Sequence, residues 1–114
     1  MTKVTRFEEG GIVVIEPKGE LIGGPETDEL RKTIDDAVIK GNTKLVIDLA
    51  RVQYINSTAL GLLTSTHVNY AKRNSRVVLC NIEKQLQSIF IITKLALIFQ
   101  VYKDQSEALA SFSR

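Results

Sequence analysis

Three short, uninterrupted apolar runs constrain the fold of this chain most strongly. They are Ile12–Ile15, Leu45–Ile47 and Val77–Cys80. Each run is too short for a helix, and its lack of alternation with polar residues is typical of strands that are covered on both faces. Segments with helical periodicity separate the runs. The pattern therefore predicts an α/β domain in which helices pack against a mostly parallel sheet.

The chain is predicted to open with a β-hairpin. Residues 4–7 form its first strand, residues 8–11 a turn whose glycines can adopt positive φ, and residues 12–15 its second strand. Pro17 has no N–H to donate to a neighbouring strand, which predicts that the second strand ends there or lies near an edge of the sheet. Residues 19–24 are then predicted to form a loop.

Capping signals and helical periodicity predict four helices. Pro25 suits the first helical position, and Gly41 is a stop signal after the last turn of that helix. Asn81 is predicted to cap the third helix, and Asp104 with Glu107 forms a capping-box-like pattern before the fourth. The predicted helices span residues 25–40, 57–73, 82–93 and 106–112, and the predicted strands between them span residues 44–49, 52–55, 76–80 and 99–102.

Composition indicates a globular protein with one domain over residues 1–114. Of its residues 44% are hydrophobic and 25% charged, and the net charge of +2, with scattered basic residues, does not favour nucleic-acid binding. A single cysteine excludes an internal disulfide and favours a reducing compartment. Neither a signal peptide nor an apolar run of about 20 residues is found. We therefore expect a cytoplasmic protein with no nucleic-acid or membrane partner.

Residue patterns typical of enzymes are missing. His67 falls on the predicted buried side of its helix, and with Cys80 alone it cannot complete a zinc site. The glycine pairs at residues 10–11 and 23–24 lack the remainder of a phosphate-binding loop. Asp48 ends a predicted strand without the further carboxylates that hold Mg²⁺, so a structural role is predicted. We expect Cys80 to be a buried apolar side chain, and the protein to have no cofactor, metal or enzymatic activity.

The start of the second predicted helix is the candidate functional site. Asn56, Ser57 and Thr58 stand where a strand pattern stops and a helical pattern begins. Side-chain oxygens at such positions accept hydrogen bonds from backbone N–H groups that have no intrahelical partner. The positive end of the helix dipole would also favour a phosphate on a hydroxyl there. The segment can therefore serve as a helix cap or as a phosphorylation switch.

A projection of this helix at about 100° per residue separates a buried side from a candidate docking side. The docking side is small and mostly uncharged near its start, which suits a partner protein, although Leu62 and Val68 at its margins can instead widen the buried stripe. The predicted buried residues are Ala59, Leu60, Leu63, His67, Tyr70 and Ala71. The candidate partner-binding residues are Ser57, Thr58, Gly61, Leu62, Thr64, Ser65, Val68, Asn69 and Lys72.

The third predicted helix carries a second apolar feature. Residues 89–92 read Ile-Phe-Ile-Ile, which is more apolar than a one-sided helical stripe requires. Two interpretations remain open. The segment is either packed between the sheet and the terminal helix or partly exposed in an interface.

The segment at residues 56–61 resembles the phosphorylation segment of the STAS family, the anti-sigma factor antagonists of bacterial partner-switching systems. The family's segment typically reads Asp-Ser-Ser/Thr-Gly-Leu-Gly after a β-strand, and this chain reads Asn-Ser-Thr-Ala-Leu-Gly. Other stretches are similar to further family motifs in the same order along the chain. They are residues 19–21, 23–25, 46–49, 92–99 and 107–109.

The resemblance implies a STAS-like α/β fold and a role in binding. The fold would be a small, mixed, mostly parallel sheet opened by an N-terminal hairpin, with about four helices. In the family, an anti-sigma factor that is also a serine kinase of histidine-kinase-like ATPase fold binds the unphosphorylated antagonist and releases its sigma factor. Phosphorylation ends that interaction, and a metal-dependent serine phosphatase restores it. By position the phosphoacceptor is Ser57, with Thr58 as a secondary hydroxyl and Asn56, Ala59 and Gly61 in the same loop.

Two residues depart from the family's segment. Asn56 replaces the usual Asp, which keeps the capping ability but removes a charge beside the acceptor. Ala59 replaces the usual Gly, which favours the helix by up to about 1 kcal/mol and closes space near the backbone. Two alternatives remain open at this point. One is a STAS-like scaffold or regulatory subunit, of a signalling complex or a transporter, without a working phospho-switch; the other is an enzyme or small-ligand carrier with the same fold.

Overall fold

The computed structural model describes residues 4–113, which form a mixed sheet with helices on both faces. The strands are β1 (Val4–Glu9), β2 (Ile12–Leu21), β3 (Lys44–Asp48), β4 (Arg51–Ile55), β5 (Arg76–Cys80) and β6 (Gln100–Tyr102). The helices are α1 (Pro25–Ile39), α2 (Ser57–Lys72), α3 (Lys84–Ile92) and α4 (Gln105–Ala110), with 3₁₀ turns at Leu95–Leu97 and Ser111–Ser113. The predicted α/β class, the opening hairpin and the four helices are confirmed.

The sheet is built around β2. Strand β1 pairs antiparallel with β2 to form the hairpin. On the other side of β2, β3 pairs parallel with its first half and β4 pairs parallel with its second half. Strands β5 and β6 continue the sheet beyond β3, again in parallel. Among the described residues β4 pairs with β2 alone, so its other side is an edge of the sheet.

The predictions that β2 ends or nears an edge at Pro17, and that residues 19–24 form a loop, are wrong in part. Strand β2 continues to Leu21. Its ladder with β1 reaches as far as Pro17, opposite Val4, so among the described residues the part of β2 beyond Pro17 is paired with β4 alone. Its register with β3 involves residues 13–15, and its register with β4 begins at Lys18. Pro17 lies between these two ladders, where the missing N–H interrupts neither of them. The loop before α1 is therefore limited to residues 22–24.

Two hydrophobic cores explain the uninterrupted apolar runs. Strand β3 sends Leu45 and Ile47 into the larger core, which is closed by α1, α2 and α3. Val46 faces the smaller core on the other side, where Ala108 of α4 packs. Because successive strand side chains point to opposite faces, a strand that is covered on both faces needs apolar residues at every position.

Asn81 does not cap α3 as predicted. The helix begins three residues later, with Glu83 as its N-cap residue. Asn81 instead adopts a left-handed conformation (φ 57°), which asparagine tolerates better than most residues, at the end of β5. The predicted cap of α4 is confirmed, since the carboxylate of Asp104 accepts the backbone N–H of Glu107 at 2.9 Å.

Asp48 lies at the centre of a buried polar cluster. Its side chain accepts hydrogen bonds from the backbone N–H of Ala50 at 2.9 Å, from Asn81 Nδ2 at 3.1 Å and from Gln105 Nε2 at 2.8 Å. These bonds join β3, the end of β5 and α4, which is the structural role expected of Asp48. Burial, followed by the charge of Asp48, raises the pKa of the neighbouring Cys80 thiol to about 12. That thiol therefore stays protonated at neutral pH.

The apolar segment at residues 89–92 is divided between the core and the surface. Phe90 is buried, whereas Ile91 and Ile92 are 69% and 78% exposed. Phe90 packs in the larger core with α1 and α2, whereas α4 lies against the smaller core, so the interpretation that the segment packs between the sheet and the terminal helix is wrong. Ile91 and Ile92 are exposed, as the second interpretation requires, and their place in an interface stays a prediction.

Candidate functional site at the start of α2

Asn56 joins β4 to α2 and is the N-cap residue of the helix. Its backbone is extended (φ −110°, ψ −177°). Its side-chain Oδ1 accepts the N–H of Ala59 at 3.2 Å, and its backbone carbonyl accepts the N–H of Leu60 at 2.9 Å. The predicted capping role of Asn56 is confirmed.

The amide of Asn56 makes a second contact that the sequence did not suggest. Its Nδ2 donates to the carbonyl of Ile22 at 2.9 Å, and its backbone N–H donates to the carbonyl of Leu21 at 3.0 Å. The residue therefore ties the β2–α1 loop to the first turn of α2. An aspartate could keep the capping bond, but an ionised carboxylate has no donor for the carbonyl of Ile22.

Ser57 and Thr58 open the helix, and both are exposed. Within residues 4–113 neither hydroxyl makes a hydrogen bond, so each is free to react or to contact a partner. The first N–H groups of a helix have no intrahelical acceptor, and α2 has no acidic residue in its first turn. This end of the helix is therefore suited electrostatically to an added anionic group.

The β2–α1 loop lies directly against Thr58. Gly23 has a φ of +88°, and a Cβ built on it would lie 3.4 Å from Thr58 Cγ2. A side chain at this position would therefore be strained by its backbone conformation, and its Cβ would be in van der Waals contact with the first turn of α2. On its other side the loop is held by the N–H of Gly23, which donates to Oγ1 of the buried Thr27 at 2.9 Å.

The predicted docking side of α2 is only partly free. Leu62 is 8% exposed and belongs to the larger core, so it is not accessible to a partner and the interpretation that it widens the buried stripe is correct. It lies in a groove of 160 Å³ between α1 and α2 that Ser65 and Asn69 also line. Thr64 is half-buried. The exposed members of the predicted set are Ser57, Thr58, Gly61, Ser65, Val68, Asn69 and Lys72.

The predicted buried side needs two corrections. Ala71 is exposed, and Thr66, which was not predicted to be buried, is 3% exposed. Thr66 can be buried towards α1 because its hydroxyl donates to the carbonyl of Leu62 at 2.8 Å. His67 is half-buried and meets the ring of Phe99 edge-on at 5.3 Å between centroids, as a structural histidine would. The other four predicted residues, Ala59, Leu60, Leu63 and Tyr70, are buried.

Two exposed apolar side chains near Ser57 were missed by sequence reasoning. Ile22 is 47% exposed and Tyr54 is 49% exposed. Tyr54 pairs with Glu20 in the β2–β4 ladder. Asn56 follows Tyr54 by two residues, and Ile22 follows Glu20 by two residues. Tyr54 stands on a strand whose outer side is an edge, a property that its local sequence does not reveal.

The other features of interest among the described residues concern metal clusters, membrane-spanning helices and further grooves. No group of three or more His, Cys, Asp or Glu side chains within residues 4–113 is placed to hold a metal ion. In the same range no helix is both long and apolar enough to cross a membrane. A groove of 760 Å³ lies between α3 and β6, lined by residues such as Phe90, Ile91 and Val101.

The sequence profile of the STAS domain family matches residues 4–108. The chain belongs to the STAS domain family. A Bordetella bronchiseptica protein that carries the name of anti-sigma factor antagonist BtrV is 24% identical to this STAS chain over 110 residues, which cover 96% of this chain and 94% of the relative.

Solved structures share the same STAS fold. A crystal structure described as an anti-sigma factor antagonist from Thermotoga maritima has a TM-score of 0.90 at 21% identity and covers 97% of this chain and 95% of its own. The phosphorylated form of the Bacillus cell fate determinant SpoIIAA has a TM-score of 0.74 at 20% identity and covers 96% of this chain and 98% of its own.

Proposed function

We propose that this STAS protein is an anti-sigma factor antagonist whose binding is controlled by phosphorylation of Ser57. The observation that carries the proposal is the exposed, unbonded hydroxyl of Ser57 at the start of α2, in a segment that resembles the family's phosphorylation segment. The names of the relatives in Bordetella and Thermotoga support the same class of function. The protein acts by binding, without a cofactor or a catalytic step of its own, and works in the cytoplasm.

The partner in this proposal is an anti-sigma factor that is also a serine kinase, with a histidine-kinase-like ATPase fold. It binds the protein while Ser57 carries a free hydroxyl, and it releases its sigma factor in exchange. The kinase then transfers phosphate to Ser57 and the complex dissociates. A serine phosphatase removes the phosphate and restores binding.

Phosphorylation would change the surface without unfolding it. A phosphate adds about −1.5 to −2 charges at neutral pH. Helix α2 can accommodate that charge, because its first N–H groups face the site and Asn56, unlike an aspartate, adds no negative charge. A partner surface pressed against Ser57 cannot accommodate it unless it supplies matching cations. The charge would therefore weaken binding more than it weakens the fold.

Phosphosite mapping tests this proposal. The purified protein is incubated with Mg-ATP and the ATPase-fold anti-sigma kinases of its source organism, and modified peptides are identified by mass spectrometry. We expect close to one phosphate per chain, on Ser57. The Ser57→Ala variant, which retains the neighbouring hydroxyl of Thr58, should take up little or no phosphate.

Other outcomes of the mapping would support a different function. Phosphate on neither hydroxyl, together with stable binding to a complex that lacks a sigma regulator, would favour the scaffold or regulatory subunit over the switch. Phosphate on Thr58 alone would retain the switch but move its acceptor by one residue.

A further inference from the structure

We propose that the protein that acts on Ser57 docks across the β2–β4 edge of the sheet, on Ile22 and Tyr54, rather than along the length of α2. This inference rests on the proposed function, since its occupant is the ATPase-fold kinase that must reach the Ser57 hydroxyl. The docking surface comprises Ile22, Tyr54, Asn56, Ser57 and Thr58, and we call it the edge surface.

The size of a protein interface favours the edge surface. A stable interface buries about 800 Å² on each partner, which corresponds to a disc of about 16 Å radius. Tyr54 precedes Ser57 by three residues, which places their Cα atoms within about 11 Å. The carbonyl of Ile22 is bonded to the residue before Ser57. An interface centred on the Ser57 hydroxyl therefore extends as far as the positions of both Ile22 and Tyr54.

By the same estimate of interface radius, the C-terminal half of α2 lies at the rim of an interface centred on Ser57. Val68 follows Ser57 by eleven residues, which is about 16 Å along a helix. Between them, Leu62 is buried against α1 and cannot contribute. Energetically important contacts cluster near the centre of an interface and are rich in aromatic residues, which favours Tyr54 over Val68.

Asn56 holds the edge surface together. Its Nδ2 fixes the carbonyl of Ile22 at 2.9 Å while its Oδ1 caps α2, so one side chain sets the position of the loop relative to the acceptor helix. Ile22 is thereby held beside Ser57 before any partner arrives. Asn56 is thus a positioning residue, and this role follows from the amide that distinguishes it from the family's usual aspartate.

The edge surface also explains why phosphate would end binding. Ile22 and Tyr54 are each about half exposed, and burial of their remaining apolar area would stabilise a complex. A doubly charged phosphate on Ser57 would have to lose water at the border of that apolar contact. The partner must therefore present an apolar patch to Ile22 and Tyr54, beside the active-site groups that reach Ser57.

Steady-state phosphorylation by the source organism's ATPase-fold kinase tests the inference. We expect Ile22→Ala and Tyr54→Ala each to raise KM about tenfold with little change in kcat, because these residues bind the kinase without touching the phosphate. Val68→Ala is the matched control and should leave KM within about twofold. Asn56→Ser retains a capping oxygen but loses the donor to Ile22, and should raise KM about fivefold with α2 still formed.

Each result bears on the inference. A raised KM for Tyr54→Ala and Ile22→Ala, with Val68→Ala unchanged and all circular dichroism spectra alike, supports it. A raised KM for Val68→Ala alone, or wild-type values for all four variants, overturns the edge surface while leaving the switch at Ser57 intact. Wild-type protein that neither binds the kinase nor accepts phosphate overturns both proposals.

Discussion

We expect Ser57→Asp to lower the affinity of the protein for the proposed anti-sigma kinase by about 100-fold, and Ser57→Ala to bind about as well as the wild type. A 100-fold loss corresponds to about 2.7 kcal/mol. An aspartate places a charge at the edge of an apolar contact, and the cost of removing water from an unpaired charge reaches several kcal/mol. The alanine variant loses only a hydroxyl that makes no hydrogen bond within residues 4–113. Isothermal titration calorimetry with the purified kinase measures both affinities.

Ser106→Asp provides the matched control for this result. Ser106 is also an exposed serine in the first turn of a helix, but its helix α4 covers the opposite face of the sheet. The same change of charge there should leave the affinity within about threefold. Equal binding by Ser57→Asp and Ser57→Ala would contradict a charge-controlled switch at this position. A similar loss in Ser106→Asp would attribute the effect to net charge alone.

We expect Asp48→Ala to lower the free energy of unfolding by about 3 kcal/mol. Hydrogen bonds to a charged group contribute about 1.5–3 kcal/mol each, and donors left without an acceptor add to the loss. Asp48 is 6% exposed and accepts from Ala50, Asn81 and Gln105, so its removal loosens the contacts among β3, the end of β5 and α4. Urea unfolding followed by circular dichroism measures the change.

Asp36→Ala provides the control for Asp48. Asp36 is an exposed aspartate within α1, and substitutions at such positions usually change stability by less than about 0.5 kcal/mol. A loss below about 1 kcal/mol for Asp48→Ala would show that the buried cluster contributes little to stability.

The order of strands and helices could be predicted because it depends on local patterns. The apolar runs at residues 45–47 and 77–80 need no knowledge of the rest of the chain to be identified as strands covered on both faces. Pro17 misled the prediction for a specific reason. A proline is tolerated inside a central strand where one parallel neighbour ends and another begins, and the chain shows this only after it has folded.

The errors at the helices also came from distant partners. Asn81 is of a residue type that favours helix N-caps. Its side chain instead donates a hydrogen bond to Asp48, 33 residues earlier, at the end of β5. The docking side of α2 was predicted from the sequence of α2 alone, which does not show that α1 packs over Leu62 and Thr66. A helical projection distinguishes the sheet-facing side well, but it does not show which other side a neighbouring helix will cover.

The candidate site was predicted in its position but not in its extent. Asn56 was correctly identified as the cap of α2 from its residue type and its place before a helical pattern. Its second bond, to the carbonyl of Ile22, joins residues 34 positions apart and has no signature in the local sequence. Tyr54 is near Ser57 in the sequence, but Ile22 becomes a neighbour of Ser57 only through the pairing of β2 with β4.

The switch at Ser57 is tested most directly by titrating one preparation of the kinase with the wild-type protein before and after stoichiometric phosphorylation. We predict that the unphosphorylated protein binds and that the phosphorylated protein binds about 100-fold more weakly or not at all, while its circular dichroism spectrum is unchanged. Treatment with a serine phosphatase should restore the original affinity. Equal affinities for the two forms, with phosphate confirmed on Ser57, would contradict the switch.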